Sequence, residues 1–441
     1  MTTQWETTHS FLPITANVNN QDHLTIGGCD VLDLAREYGS PLYVYDEATI
    51  RARCRQYVEG LSREIADSLV IYASKAWANG ALFRLIAEEG FGLDVVSGGE
   101  LALAQHVGFP LDRVYFHGNN KLPDELELGV ELNIGRFVID NVYELDRLDV
   151  LGQRQGRKIP ALLRVGPGVE AHTHDFIKTG VTDSKFAVPI STGQAEAAVA
   201  RAQQAPGIDL VGLHAHIGSQ IFEMAPYLET IGLVLDFARR MHDAHGLELK
   251  EFSPGGGWGI AYTGEDDPLP TDQVAQAVGA AVRSTTSNLG LPVPRVILEP
   301  GRSVVGQAGV ALYTVGSIKD IPGIRRYVAL DGGMADNIRP ALYGAVYHPL
   351  LANRMTDSGN EVVTLAGRYC ESGDVLVRDA QLPSLDIGDV VALPASGAYN
   401  LAMSSNYNLA LRPAVVLVND GQARLIRRRE TYEDLFRNEV E

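Results

Sequence analysis

The sequence predicts an α/β protein: a (β/α)8 TIM barrel followed by an all-β domain. Between about residue 68 and about residue 300, short β-branched or aromatic runs alternate with turns and helix-period segments, and eight such runs can be counted. That span suits a barrel of about 250 residues. Beyond residue 300 the pattern changes to short apolar runs separated by Gly, Asp and Asn, which reads as a β-sandwich or Greek-key barrel. A length of 441 residues leaves room for both.

The barrel strands are read, in order, as Leu69–Ser74, Gly92–Val96, Arg113–His117, Arg136–Asp140, Ala161–Val165, Asp209–His216, Leu249–Ser253 and Arg295–Glu299. Helical stretches such as Ala81–Glu89, Glu100–Val107, Pro123–Leu132 and Pro226–His242 supply crossovers of the length that parallel strands need. An open doubly wound sheet could hold as many strands, but no G-x-G-x-x-G follows the first one. The later runs are Val310–Val315, Tyr327–Leu330, Val362–Leu365, Val375–Val377, Val390–Leu393 and Ala414–Val418, with Asn419-Asp420-Gly421 as a hairpin turn into Ala423–Ile426. Near the N-terminus His23–Ile26 and Leu42–Tyr45 read as strands around a helical Val31–Tyr38. The resulting division is an N-terminal segment over residues 1–45, a barrel over 46–300 and a β domain over 301–441. Pattern alone does not say which domain the first segment joins.

With 37 basic and 55 acidic residues the net charge is −18, so phosphate backbones and anionic lipid surfaces would repel the chain. Neither nucleic acid nor membrane is an expected partner. Cys29, Cys54 and Cys370 form no C-x-x-C pair, and neither a basic leader nor a long apolar stretch occurs. A reducing cytoplasm is the expected setting.

Barrel enzymes carry their chemistry at the C-terminal ends of the strands, and here those ends are polar. The first run ends in Tyr72-Ala73-Ser74-Lys75, where alternation aims Ile71, Ala73 and Lys75 into the barrel. A rim lysine snorkelling to water would read the same, but an inward amine with a lowered pKa can form a Schiff base. The sixth run carries His214-Ala215-His216, and His172-Thr173-His174 makes a second H-x-H pair, so a metal-dependent hydrolase competes. No H-E-x-x-H or evident bridging carboxylate accompanies either pair, and no metal is expected. The seventh run leads into Gly255-Gly256-Gly257, whose N–H groups lie open to an anion with no Cβ in the way. The eighth ends in Glu299-Pro300-Gly301-Arg302.

Together these parts make a pyridoxal 5'-phosphate site. Lys75 holds the aldehyde carbon, Gly255–Gly257 with Ser219 hold the phosphate, His216 stacks on the ring and Glu299 pairs with the pyridine nitrogen. A protonated pyridine favours loss of CO2 from Cα.

The motifs resemble the barrel-type, fold type III pyridoxal-phosphate decarboxylases, and within them the branch acting on meso-2,6-diaminopimelate. The likeness rests on Tyr72-Ala73-Ser74-Lys75-Ala76, the run Phe91–Glu100 that includes Asp94, His214–Ser219, Gly255–Gly257, Glu299–Arg302 and Cys370-Glu371-Ser372-Gly373-Asp374, in that order across nearly the whole chain. It implies that Asp94, Gly301 and Tyr399 also contact the cofactor, with Met403 and Tyr407 near Tyr399. It implies a β domain joined by the N-terminal strand, and a homodimer with shared active sites in which Cys370 is catalytic.

Diaminopimelate carries a second amino-acid centre, which calls for cations and an ammonium acceptor. Arg302, Arg339 and Tyr343 look like the carboxylate clamp, Glu371 like the acceptor, and Tyr399 is a further substrate contact. The stretch Gly168–His174, with Thr179-Gly180 and Ser184-Lys185-Phe186, is also typical of this branch. The resemblance implies release of L-lysine and CO2, the last step of lysine biosynthesis. The alternative is a decarboxylase of ornithine, arginine or another basic amino acid. One departure is Gly367-Arg368-Tyr369 before Cys370, where the family usually has Gly-Pro and an apolar residue.

Overall fold

The computed structural model describes residues 4–169, 184–359 and 361–440. Contacts divide the chain into two units. One gathers Arg53–Gly259 and Pro268–Ser303, and the other gathers Met1–Ala52, Ile260–Asp267 and Val304–Glu441.

The first unit is a closed ring of eight parallel strands. They are β1 (Ser68–Ala73), β2 (Gly92–Val95), β3 (Val114–Phe116), β4 (Arg136–Ile139), β5 (Ile159–Gly166), β6 (Ile208–His214), β7 (Glu251–Gly255) and β8 (Arg295–Leu298). Each pairs with the next, and β8 pairs with β1. The short strand Val188–Pro189 adds to β5. The expected barrel is therefore present, with strand ends within about two residues of the sequence reading.

Helices begin soon after the strands because the connecting turns carry N-caps. Asn79, Ser97 and Asn141 each accept a backbone N–H of the helix that follows, at Gly80–Glu88, Gly98–His106 and Val142–Arg154. An apolar layer of Leu69, Ile71, Tyr115, Val138, Leu162, Val211 and Ile297 fills the barrel. Side chains along a strand alternate, so the residues two positions on from Tyr115, Val138, Leu162 and Ile297 share their inward direction. Those residues are His117, Asp140, Arg164 and Glu299, all buried. A polar layer thus sits on the apolar one at the C-terminal end of the strands.

In the second unit one sheet runs in the order Val375–Leu382, Glu361–Ala366, Arg325–Leu330, Gly309–Ile321, Leu42–Asp46, Ala414–Asn419, Gln422–Arg427. Val390–Leu393 also pairs with Gly309–Ile321. The N-terminal strand Leu42–Asp46 lies inside this sheet, antiparallel to Gly309–Ile321 and parallel to Ala414–Asn419. Leu42, Val44, Val310, Leu312, Ala392, Val416 and Val418 share one buried core, while Tyr43 and Tyr45 are buried with their hydroxyls donating to the Asp336 and Gly397 carbonyls, so all five residues of this strand are inaccessible. The Asp420-Gly421 turn has φ of 48° and 74°, the left-handed pair that a two-residue hairpin demands.

Candidate active site

Lys75 follows β1 in a single helical turn, Ser74–Ala76. Its Nζ lies 3.9 Å from Asp94 Oδ2; the lysine side chain is 43% exposed while that of Asp94 is 2% exposed. The amine is therefore reachable and its counter-charge is not. Ser74 Oγ donates to the Asp94 carbonyl at 2.6 Å and ties the end of β1 to β2. Burial pushes Asp94 up to about 7, against the pull of Lys75, with Glu299 and Glu100 adding to the rise.

Glu299 is clasped on both oxygens. His214 Nε2 lies 3.0 Å from Oε2 and Ser253 Oγ donates to Oε1 at 2.7 Å. A carboxylate only accepts, so Nε2 of His214 carries the hydrogen. Burial opposes ionisation of Glu299, yet its carboxyl is held well below the ordinary range by His214, by His117 and by the hydrogen bonds from His214 and Ser253. Burial also drives His117 well below the usual imidazole value, and a neutral His117 leaves His214 and Ser253 as the effective partners. His117 Nε2 stands 3.6 Å from Glu299 and 3.8 Å from Asp94, with no hydrogen bond.

The ligand atoms of His117, His214 and Glu299 lie within 4.8 Å of one another, a spacing that a cation could use. Both oxygens of Glu299 are already hydrogen-bonded within the protein, whereas His117 Nε2 and His214 Nδ1 are buried without a hydrogen-bond partner. His214 and His216 engage different partners, and His214 Nε2 serves Glu299. β6 ends at His214, and Nδ1 of His216 accepts from Gly256 N at 3.3 Å instead. The other pair, His172 and His174, lies outside the described residues, as do Glu170, Thr179 and Gly180.

The glycine run is required by the backbone itself. A Cβ at Gly255 would press on the Ala215 carbonyl, at Gly256 it would overlap the Glu299 carbonyl, and at Gly257 the Gly218 carbonyl. Gly255 and Gly257 also have φ of 83° and 106°. The ends of β6, β7 and β8 thus meet at van der Waals limits. Nearby, Arg302 donates to Ser219 Oγ at 3.0 Å, and Gly301 lets the end of β8 approach Ala73.

Sequence reasoning did not assign His117, Asp140, Arg164 or Ser253. Arg164 lies 3.7 Å from Asp140 with its guanidinium 4.7 Å from the Phe186 ring. The available signal was a polar residue two positions beyond an inward apolar one, at the end of a strand.

The β-rich unit holds the remaining candidates. Arg339 is buried between the rings of Tyr262 at 4.6 Å and Tyr347 at 5.5 Å, and it donates to the Tyr347 hydroxyl. Tyr347 in turn donates to Asn400 Oδ1 at 3.1 Å. Tyr343 ends the same short helix, Arg339–Tyr343, with its hydroxyl 3.9 Å from Met403 Sδ. Tyr399 takes a left-handed φ of 64°. Cys370 is exposed, whereas Cys29 and Cys54 are buried, and Glu371 is exposed beside it.

A barrel with a reachable lysine and a clasped, buried carboxylate at its strand ends fits the class of pyridoxal-dependent decarboxylases. Residues 47–306 match the family described as "Pyridoxal-dependent decarboxylase, pyridoxal binding domain". A diaminopimelate decarboxylase of Bacillus subtilis is 47% identical, covering 97% of each chain. One of Synechocystis is 46% identical over 98% of this chain and 93% of its own. The crystal structure of the diaminopimelate decarboxylase of M. jannaschii in complex with L-lysine superposes with a TM-score of 0.90, at 36% identity over 97% of this chain and 98% of its own. The chain belongs to the diaminopimelate decarboxylase family of pyridoxal-dependent enzymes.

Proposed function

We propose that this protein removes CO2 from meso-2,6-diaminopimelate to give L-lysine, with pyridoxal 5'-phosphate held at the open end of the barrel. The observation that carries the reading is the buried Glu299 carboxylate, kept ionised by His214 and Ser253 in the layer that Lys75 overlooks. The residues suit the cofactor: a reachable amine, a fixed buried anion, and a glycine turn where side chains are excluded.

When bound, pyridoxal phosphate supplies an electron sink for the pair left on Cα as CO2 departs. Lys75 anchors the cofactor, and Asp94 answers the lysine charge. Glu299 would keep a proton on the pyridine nitrogen, His216 would flank the ring, and Tyr399 would add a contact. Gly255–Gly257, Ser219, Gly301 and Arg302 take the phosphate. Burial keeps His216 well below the ordinary imidazole value, so it would meet the ring as a neutral group. Arg302, Arg339, Tyr343 and Tyr399 bind the substrate, and the clamp on its distal carboxylate needs a fixed cation; Arg339 is fixed by two rings and a hydroxyl. Glu371 accepts from the distal ammonium, and the Cys370 thiol delivers the proton to Cα. The family likeness supports a homodimer in which Cys370 serves the Lys75 site of the partner subunit, and cytoplasmic residence. Among the described residues no helix is long and apolar enough to cross a membrane.

Ornithine and arginine lack the distal carboxylate, so they would leave Arg339 without an anion. The test is CO2 release from meso-diaminopimelate, ornithine, lysine and arginine by the cofactor-loaded protein. Turnover of diaminopimelate far above the others is expected. Preference for ornithine or arginine would overturn the assignment.

A further inference from the structure

The main-chain amide and carbonyl of Cys370 are both held by one turn. Its N–H donates to Asn408 Oδ1 at 3.0 Å, and its carbonyl accepts from the Tyr407 hydroxyl at 3.2 Å. Asn408 presents its amide oxygen from φ 52°, ψ 26°, a left-handed conformation that asparagine tolerates better than most side chains. Leu409 follows at φ 55°, where a branched side chain has no such excuse, so the turn is imposed by its surroundings.

The approach to Cys370 is fixed as well. The buried Asp374 carboxylate accepts from Tyr369 N at 2.8 Å and Met334 N at 2.7 Å. Arg368 N donates to the Gly332 carbonyl at 3.2 Å, a bond that proline at this position could not make. The Tyr369 ring meets that of Tyr407 edge-on, 6.4 Å apart at 78°. The departure Arg368-Tyr369 thus replaces a proline's fixed φ with one hydrogen bond and one ring contact. The thiol projects from a residue whose main-chain N–H and carbonyl are both hydrogen-bonded to side chains.

We propose that Asn408 and Tyr407 are positioning residues that hold Cys370 where its thiol can deliver a proton. The inference rests on the reading of Cys370 as the proton donor. Proton transfer requires the donor at hydrogen-bond distance from its target, so a loop that drifts by about 1 Å loses rate rather than affinity.

The test is a mutant cycle on the cofactor-loaded enzyme with meso-diaminopimelate. Asn408→Gly keeps the left-handed turn and deletes the acceptor; Asn408→Asp keeps both. Asn408→Gly is expected to lower kcat about tenfold or more, with KM and cofactor absorbance little changed, and Asn408→Asp to recover most of the loss. Tyr407→Phe, which keeps the ring, is expected to lower kcat in the same sense. In a Cys370→Ala background Asn408→Gly is expected to cost nothing further, because it acts through the absent thiol. Iodoacetamide reads the same point without turnover: the other two cysteines are buried, so the fast alkylation belongs to Cys370, and its rate should change in Asn408→Gly and return in Asn408→Asp. Wild-type kcat with an unchanged alkylation rate in Asn408→Gly, or equal losses in both backgrounds, would overturn the proposal. Wild-type turnover by Cys370→Ala would instead remove the proton-donor reading, and the alkylation rates would then decide the positioning claim alone.

Discussion

His214 Nε2 lies 3.0 Å from Glu299 Oε2, and both side chains are shut away from solvent. With Ser253 on the other oxygen, the carboxylate is fixed in position and charge before any cofactor arrives. Glu299→Gln keeps the shape and removes the charge. The variant should fold, bind cofactor more weakly and lose roughly 100-fold in kcat, as the loss of one preorganised electrostatic partner does. Steady-state kinetics with a cofactor titration measures this, and turnover within a few fold of wild type would contradict it.

Asp94 gives a pH signature in the cofactor-free protein. Burial, opposed by Lys75, raises its carboxyl from an ordinary 3.8 to about 7. A carboxyl that binds its proton more tightly when folded costs stability as it ionises, so that cost grows between about pH 4 and about pH 7 and then levels off. Asparagine never ionises. The melting temperature of Asp94→Asn relative to wild type should therefore rise across that window, and a gap that does not change with pH would refute the assignment.

Gly257 tests the meeting of strand ends. At φ 106° and against the Gly218 carbonyl, an added methyl meets both strain and overlap. Gly257→Ala should destabilise the fold by about 2 kcal/mol or more in urea unfolding, with cofactor binding lost. A variant as stable as wild type would mean that the run is loose.

Much of this site was legible because strand alternation is a strict period. Ile297 points inward, so Glu299 does too, and the same step links Leu162 to Arg164 and Tyr115 to His117. Glu299 stands out because Pro300-Gly301-Arg302 follows it, whereas Arg164 and His117 have no such context. The register shift between Leu210 and Gly212 in β6 breaks the period between Leu210 and His214, so alternation counted from the start of that strand does not carry to its end. Nor could composition reveal that Asn408 turns left-handed to reach Cys370, since that contact joins residues 38 positions apart.

The shared-site proposal has its own arithmetic. Lys75→Ala and Cys370→Ala homodimers should each be nearly inactive. After free exchange of equal amounts, half the dimers are mixed, and each mixed dimer holds one intact site if the residues come from different chains. Activity should then recover to about a quarter of wild type. No recovery, with native mass spectrometry confirming mixed dimers, would place both residues of a site in one chain.

The most direct measurement is lysine formation from meso-diaminopimelate by wild type and by Lys75→Ala, followed by mass spectrometry on protein loaded with pyridoxal phosphate. The account predicts one lysine per CO2 from wild type, and a folded Lys75→Ala variant whose rate falls by roughly 100-fold or more. Lysine production by Lys75→Ala at a near-normal rate would contradict it.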